Sequence, residues 1–351
     1  MRVIDFCMVG ILLLLSGWTS SALAVAVGHN ALAKQAAFYF DPLPDKAPSI
    51  DLIDNFEEKV ILGQRLFFDP RLSLSQTVSC HSCHNLATGG ADGLSVSVGH
   101  GGQTGARNSP TVFNSVLQIA QFWDGRARDL VEQVGGPIVS SIEMASTDPL
   151  VCAVLSSMPE YVAEFGAAFP QRKKPICFST TKLALAAYVS TLLTPDSPFD
   201  RYLQGDEHAL NEDQQAGLQQ FIALGCVQCH TSVNVGGNSY YRFGAAHEPE
   251  PRYRPAEDVG RSAVMDMVTQ AYVFKVPTLR NVELTAPYFH AGGAWTLSEA
   301  IKVMGWTQLD KKLSAKQCKH LEVFLHSLTG KLPQLQVPKL PAATERTPRP
   351  Q

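Results

Sequence analysis

The sequence predicts a mainly α-helical protein with two domains. Apolar residues recur at helical spacing between capping residues, alternating strand patterns are few, and one pentapeptide motif occurs once in each half of the chain. A chain of 351 residues with 45% hydrophobic and 17% charged residues is ordinary for a globular protein with sizeable cores. The formal net charge of −3 gives no basic signature of nucleic-acid binding.

Each helix is predicted from the points where its apolar pattern starts and stops. Residues 56–68 carry apolar side chains near helical spacing and end at Asp69–Pro70. Residues 148–168 predict two short helices separated at Pro159, and Thr180–Leu193 predict a longer one. Two helices of the second half have clear capping residues: 212–224 between Asn211 and Gly225, and 315–328 between Ser314 and Gly330.

The remaining segments predict irregular chain and the domain boundaries. Residues 236–260 are rich in Gly, Pro and charge, which favours an irregular surface loop, and the proline-rich residues after Pro333 favour an extended tail. Leu193–Pro198 is the candidate linker. We therefore expect an N-terminal domain at 25–194, a C-terminal domain at 195–332 and the tail at 333–351.

Residues 1–24 are typical of a secretory signal peptide. Arg2 precedes an apolar core from Val9 to Leu15, and small residues end the segment at Ala22–Leu23–Ala24. The apolar run is too short to span a bilayer, and no later segment is long enough to do so. We expect cleavage of the signal, export, and no membrane span in the mature chain.

The repeated motif is Cys-x-x-Cys-His, at residues 80–84 and 226–230. Two thiols at this spacing can form thioether bonds to one porphyrin, and the histidine that follows becomes the proximal iron ligand. With 8 Cys and 10 His in the chain, roughly 0.005 copies are expected by chance. Zinc knuckles and redox dithiols usually lack the adjacent His. The predicted ligands of two covalent haems c are Cys80, Cys83 and His84, and Cys226, Cys229 and His230.

Three cysteines remain once the haem motifs and Cys7 of the signal are set aside. Cys152 and Cys177 could form a disulfide in an oxidising compartment. Alternatively, these two and Cys318 are three small buried thiols. The sequence leaves both possibilities open.

A long series of motifs occurs in a fixed order: Leu66–Ser73, Cys83–Leu86, Gly99–Gly101, Arg107–Thr111, Phe122–Ala127, Glu132–Gln133, Gly135–Ile138, Glu143–Met144, Phe274–Asn281, Ala286–His290 and Val303–Gly305. In these motifs, residues 35–335 resemble the bacterial di-haem cytochrome c peroxidases. The resemblance implies two class I cytochrome c-like domains, each with one covalent haem, joined by long irregular loops. It also implies a periplasmic enzyme.

The resemblance implies a role for each matched residue near the irons. His100, on a glycine-flanked loop, would be the removable sixth ligand of the first haem iron. Met304, near the end of a short helix from Ser298, would be the second ligand of the second haem, where a thioether raises the reduction potential. Glu143 would move a proton between the two peroxide oxygens. Gln133 would hydrogen-bond in the same pocket, and Trp123 would lie between the haem domains.

The resemblance also implies further ligands and partners. Calcium would bind the side chain of Asn108 and the backbone carbonyls of Thr285 and Pro287, since oxygen ligands suit this ion. The substrate would be hydrogen peroxide, and a small cytochrome c or a copper protein would donate electrons. A homodimer is a further expectation.

Two alternative functions belong to other classes. One is a di-haem enzyme that oxidises protein side chains, like the enzyme that matures the methylamine dehydrogenase cofactor; that relative carries Tyr where this chain has Met304, which argues against it. The other is a non-enzymatic electron-transfer cytochrome, which would need neither Glu143 nor a removable ligand. From the residues alone, Glu143 would be a surface glutamate and Met304 a core methionine.

Overall fold

The structure, a computed structural model, describes residues 31–47 and 54–351. The predicted signal peptide therefore lies outside the described residues. Helices dominate the first half: α1 at 31–39, α2 Phe56–Phe68, α3 Cys80–Cys83, α4 Leu130–Val139, α5 Asp148–Ser156, α6 Pro159–Ala168 and α7 Phe178–Ser190. The second half adds α8 Pro198–Leu203, α9 Glu212–Leu224, α10 Ser262–Met265, α11 Leu297–Leu309 and α12 Ala315–His326.

Sheet structure in the described residues is limited to two short strands. Strand β1 is Tyr240–Arg242 and strand β2 is Val273–Lys275; they pair antiparallel, with Tyr241 opposite Phe274. Single 3-10 turns occupy Pro70–Leu72, His100–Gly102, Ser115–Leu117, Cys226–Gln228, Val268–Gln270 and Val282–Leu284. The prediction of a mainly helical chain is confirmed. Strand β1 lies inside 236–260, so that loop is not irregular throughout.

Most predicted helix boundaries agree with the structure, and some of them lie at residues whose side chains cap the helix. Helices α2, α5, α6 and α9 have the predicted limits, with Asn211 accepting the backbone N–H of Gln214 at 2.9 Å. Helix α7 begins two residues and ends three residues earlier than predicted, and α12 ends at His326. The prediction of a short helix with Met304 near its end was wrong. Helix α11 continues to Leu309, so Met304 lies in its middle.

The first apolar core lies among α2 and α4–α7. Leu62, Leu66 and Phe165 are fully buried within it. Helix α2 packs directly on α7, because Gly63 presents no side chain there: a Cβ at this position would lie 1.9 Å from the carbonyl oxygen of Ala184. The first Cys-x-x-Cys-His motif packs against this core through Cys80.

The second apolar core lies among α1, α8, α9, α11 and α12. Phe221 of α9 and Phe324 of α12 pack with ring centroids 5.3 Å apart. Helix α9 approaches α12 at Gly217, where a Cβ would lie 2.0 Å from the carbonyl oxygen of His320. Each core therefore contains one close helix pair next to one motif.

Several segments connect the two cores. In the predicted linker, Leu193, Thr194 and Ser197 are buried and Asp196 is exposed. The hydroxyl of Thr194 accepts hydrogen bonds from the side-chain amides of Asn114 and Asn281, each at 2.8 Å. Residues 31–40 precede the first core in sequence, but Ala36 and Phe40 pack in the second core. The tail returns to the first half, where the backbone N–H of Gln351 donates to the carbonyl of Leu74 at 3.0 Å.

Candidate functional site

The first Cys-x-x-Cys motif forms the single-turn helix α3. The backbone N–H of Ser79 donates to the hydroxyl of Ser82 at 3.0 Å, which stabilises the turn. Burial raises the pKa of the Cys80 thiol to about 12 and that of Cys83 to about 11. Both sulfurs are therefore held as neutral groups in a desolvated place, which suits thioether bonds to an apolar ring.

His84 follows this turn and is oriented by a neighbouring serine. The hydroxyl of Ser109 donates to the carbonyl of Cys83 at 3.1 Å and lies 3.3 Å from Nδ1 of His84. Because that hydroxyl already donates to a carbonyl, its lone pair accepts from Nδ1–H. This tautomer leaves Nε2 of the imidazole as the free lone pair, as a metal-ligating histidine requires.

The second motif has the same chemistry on a different local structure. Gly225, at φ 96°, ends α9 in the left-handed region, and a 3-10 turn carries Cys226. Burial raises the pKa of Cys226 to about 12 and lowers the pKa of His230 to about 4, so this imidazole is neutral at physiological pH. Nδ1 of His230 lies 3.3 Å from the carbonyl of Val235, which again leaves Nε2 free.

A large apolar cavity opens beside the second motif. Its empty volume is about 1770 Å³, counting the part open to solvent. Cys226, Cys229 and His230 line one part of its wall, and Met304 of α11 lines another, with aliphatic and aromatic side chains around them. Two thiols, a neutral imidazole and a thioether around one apolar space are the donor set of a His/Met-ligated haem c. The residues present therefore fit this cofactor.

The His100 loop packs on the loop that carries Glu143. The backbone N–H of His100 donates to the carbonyl of Glu143 at 2.7 Å, and the Gln103 amide donates to the carbonyl of Ser141 at 3.1 Å. Gly99 permits this contact, because a Cβ there would lie 2.1 Å from the carbonyl oxygen of Ile142. The structure thus brings His100 and Glu143 together.

The loops that carry His100 and Glu143 also lie beside the first motif. Burial is the main reason that the Cys83 thiol has a raised pKa, but the carboxylates of Asp92 and Glu143 contribute to it. Burial lowers the pKa of His84, and the same two carboxylates act in the opposite direction. The Nδ1 atom of His100 is buried with no hydrogen-bond partner among the described residues. Gln133 lies on α4, half-buried.

Trp123 connects the surroundings of the two motifs. Its indole N–H donates to the carbonyl of Asn108 at 2.9 Å, next to the serine that orients His84. Its own carbonyl accepts the backbone N–H of Lys275 at 2.8 Å, and its ring lines the cavity of the second motif. A single side chain therefore contacts both regions.

The three predicted calcium ligands lie on the wall of this cavity. Asn108, Thr285 and Pro287 all line it, and the Asn108 amide nitrogen donates to the carbonyl of Leu94 at 2.8 Å. That hydrogen bond leaves the amide oxygen of Asn108 available as a ligand. Asn108 and Thr285 are 177 positions apart in sequence, yet all three residues line the same cavity.

The sequence did not reveal a charged network beside Trp123. Arg107 forms ion pairs with Asp124 and Asp258, each at 2.6 Å, and Nε2 of His290 lies 3.7 Å from Asp258. Burial lowers the pKa of His290 to about 4. These residues belong to matched motifs or their surroundings, but only the fold shows that they meet. The remaining cysteines at 152, 177 and 318 are free thiols in the structure.

These features define a class of mainly helical proteins with two buried Cys-x-x-Cys-His haem-attachment motifs. The model of the di-haem cytochrome c peroxidase family matches residues 57–208. The chain is 50% identical over 321 residues to a cytochrome c551 peroxidase of Pseudomonas aeruginosa, covering 92% of this chain and 93% of that protein. It is 44% identical over 334 residues to a cytochrome c551 peroxidase of Nitrosomonas europaea, covering 95% and 97%. The chain belongs to the di-haem cytochrome c peroxidase family.

A solved structure agrees with this placement. A MauG-like protein associated with microbial copper homeostasis superposes with a TM-score of 0.72 at 29% identity, covering 83% of this chain and 93% of that one. In the described part of the chain, every helix is too short or too polar to cross a membrane.

Proposed function

We propose that this protein is a cytochrome c peroxidase that reduces hydrogen peroxide to two waters with two electrons and two protons. Membership of the family makes it an oxidoreductase of this type. The main support for the residue assignments is that Glu143 lies beside both the His100 loop and the first Cys-x-x-Cys-His motif. Each bound haem supplies an iron that exchanges single electrons, and the first also supplies the site of O–O cleavage.

The proposed cofactor ligands follow the motifs. Cys80 and Cys83 bind one haem and Cys226 and Cys229 the other, each within one class I cytochrome c-like domain. Residues 31–40, which the expected bounds of 25–194 assign to the first domain, pack with the second. His84 and His230 are the proximal ligands, each with Nδ1 engaged by a neighbouring oxygen. Met304 is the second ligand in the cavity beside the second motif, where a thioether favours electron acceptance and storage.

Glu143 is the proposed proton carrier at the first motif. Its carboxylate takes a proton from one peroxide oxygen and delivers it to the other, so that water leaves. Gln133 is assigned to the same pocket as a hydrogen-bond partner of the substrate. His100 must withdraw before peroxide can enter, and Gly101 and Gly102, both at positive φ with open space around them, permit that movement of the loop.

Electrons enter singly from a small cytochrome c or a copper protein at the second haem. Trp123, in contact with both regions, is the proposed link toward the first. Asn108, Thr285 and Pro287 would hold calcium beside this link and so couple the positions of the two regions. We place the enzyme in the periplasm after removal of residues 1–24, and we expect a homodimer.

A second candidate has a specific observation in its favour. The solved relative described above is MauG-like, so oxidation of protein side chains is the alternative activity. The deciding position is Met304. Replacement by Tyr should abolish electron storage at the second haem, and replacement by Leu should lower its reduction potential.

One assay separates the three functions. Holoprotein is mixed with a reduced small cytochrome c, and oxidation of that donor is followed after addition of peroxide. A peroxidase gives two oxidised donors per peroxide over many turnovers. A protein-oxidising enzyme consumes peroxide with little donor oxidation, and an electron-transfer cytochrome leaves the peroxide intact; either result would refute the proposal.

A further inference from the structure

One buried cation on the wall of the cavity beside the second motif forms no ion pair with any described residue. Lys275 ends strand β2, is 7% exposed and lines the cavity of the second motif. Its ammonium donates to the side-chain carbonyl of Gln118. Burial lowers the pKa of Lys275 to about 7, although the carboxylate of Asp124 acts in the opposite direction.

Asp124 is already committed to other cations. Its carboxylate forms ion pairs with Arg107 at 2.6 Å and with Arg126 at 3.0 Å, and its carbonyl accepts from Arg261 at 3.0 Å. Because that carboxylate is shared with two arginines, it compensates the charge of Lys275 only in part. A buried ammonium with one amide oxygen as its acceptor is costly unless an anion joins it.

The cavity wall contains no other ionic side chain among the described residues. Lys275 is the one Lys, Arg, Asp or Glu residue in that wall, and His290 is kept neutral by burial. The rest of the wall is mainly aliphatic and aromatic. A ligand that fits must therefore be mostly apolar and must carry a negative group at the place where Lys275 lies.

Backbone contacts of Gly237 hold together the two segments that carry Lys275 and Gln118. Gly237 donates its N–H to the carbonyl of Val276 at 2.8 Å, and its carbonyl accepts from Ile119 at 2.9 Å. A Cβ at Gly237, which has φ 73°, would lie 2.9 Å from Cγ of Gln118. The segment after the second motif thus holds β2 and Gln118 side by side.

We propose that Lys275 and Gln118 form an anion subsite that binds a propionate carboxylate of the second haem. The proposal rests on the proposed function, since it requires haem in this cavity. A porphyrin is apolar except for its two propionates, which matches a wall with one cation. The ammonium pairs with the carboxylate, and the Gln118 amide N–H₂ can donate a further hydrogen bond to it.

The pairing has a consequence for the second iron. A positive charge close to the porphyrin favours the electron-rich ferrous state. Lys275 would therefore add to the effect of Met304 in keeping the second haem reducible. A propionate of the first haem is the alternative source of the carboxylate, because Trp123 contacts both regions.

The test compares holoproteins that carry Lys275→Met, Lys275→Gln, Lys275→Arg and the control Lys302→Met. Lys302 is exposed on α11, the helix of Met304, so its loss removes an equal charge at the surface. Each holoprotein is titrated by spectroelectrochemistry, and the propionate bending bands are recorded by resonance Raman. In Lys275→Met and Lys275→Gln, the ferrous–ferric equilibrium of the second haem should shift toward ferric by on the order of tenfold, which lowers its reduction potential by about 59 mV for a one-electron couple. A propionate bending band should also move.

The other variants should behave differently. Lys275→Arg should keep the second haem near the wild-type equilibrium, and Lys302→Met should change it by less than about twofold, because surface charge is screened. Equal potentials in Lys275→Met, Lys275→Gln and Lys302→Met would overturn the subsite, as would a shift confined to the first haem. A wild-type protein that carried no covalent haem, or that did not reduce peroxide, would instead refute the proposed function.

Discussion

Replacement of Glu143 by Gln tests the proposed proton carrier most directly. The backbone at this position is held independently of the carboxylate, since its N–H donates to Ser140 at 3.1 Å and its carbonyl accepts from His100 at 2.7 Å. Gln preserves size and polarity, so the loop and the first motif should keep their positions. The variant removes only the ability to carry a proton.

The expected magnitude follows from this single loss. One general acid–base group is worth about 10²–10⁴ in rate. Each factor of ten corresponds to about 1.4 kcal/mol of activation free energy, so the barrier should rise by about 3–6 kcal/mol. Reduction of the second haem should be unchanged, because Glu143 adjoins the first motif.

Stopped-flow mixing of the half-reduced enzyme with peroxide measures the step. The rate at which the first haem is oxidised should fall by the stated factor in Glu143→Gln. Glu160→Gln is the matched control, since Glu160 is an exposed carboxylate on α6 of the same half. If the Glu143 variant oxidises the first haem at the wild-type rate, Glu143 is a bystander and another group supplies the proton.

Three further changes test the rest of the assignment. Mutation of Cys226 and Cys229 to Ala should leave one covalent haem after acid-acetone extraction, and two would contradict the motif assignment. Replacement of His100 by Gly should give activity without prior reduction, and a variant that still needs reduction would show that another event gates the site. Gly63→Ala should destabilise the first core by about 1–3 kcal/mol, seen as a lower midpoint of thermal unfolding, because the added methyl overlaps the α7 backbone; an unchanged midpoint would contradict this close packing.

The helices and the haem-attachment residues could be predicted because their signals are local. The C-terminal ends of α2 and α9 lie next to Pro70 and Gly225, and the N-terminal end of α9 is marked by the cap Asn211. The Cys-x-x-Cys-His spacing is set by attachment to one porphyrin, so the motif can be recognised from five consecutive residues. In contrast, the extent of α11 beyond Met304 was missed, because Gly305 resembles a stop signal but lies inside the helix.

The roles of single polar residues could not be read from the residues alone. Glu143 has the local pattern of a surface glutamate, and only family resemblance suggested its role. Its proximity to the first motif and to the His100 loop depends on contacts between segments far apart in sequence. The same is true of Ser109, whose contact with His84 fixes a tautomer that no sequence pattern indicates.

By itself the sequence determined that the chain is mainly helical, that it carries two haem-attachment motifs, and to which family it belongs. Tertiary structure alone decided which polar groups are buried beside those motifs. Lys275 shows the difference: in sequence it is one lysine among many, and in the fold it lies on the wall of an apolar cavity, where burial lowers its pKa to about 7. Burial depends on how distant segments pack, and the strength of a charge depends on burial, so this part of the chemistry is a property of the folded chain.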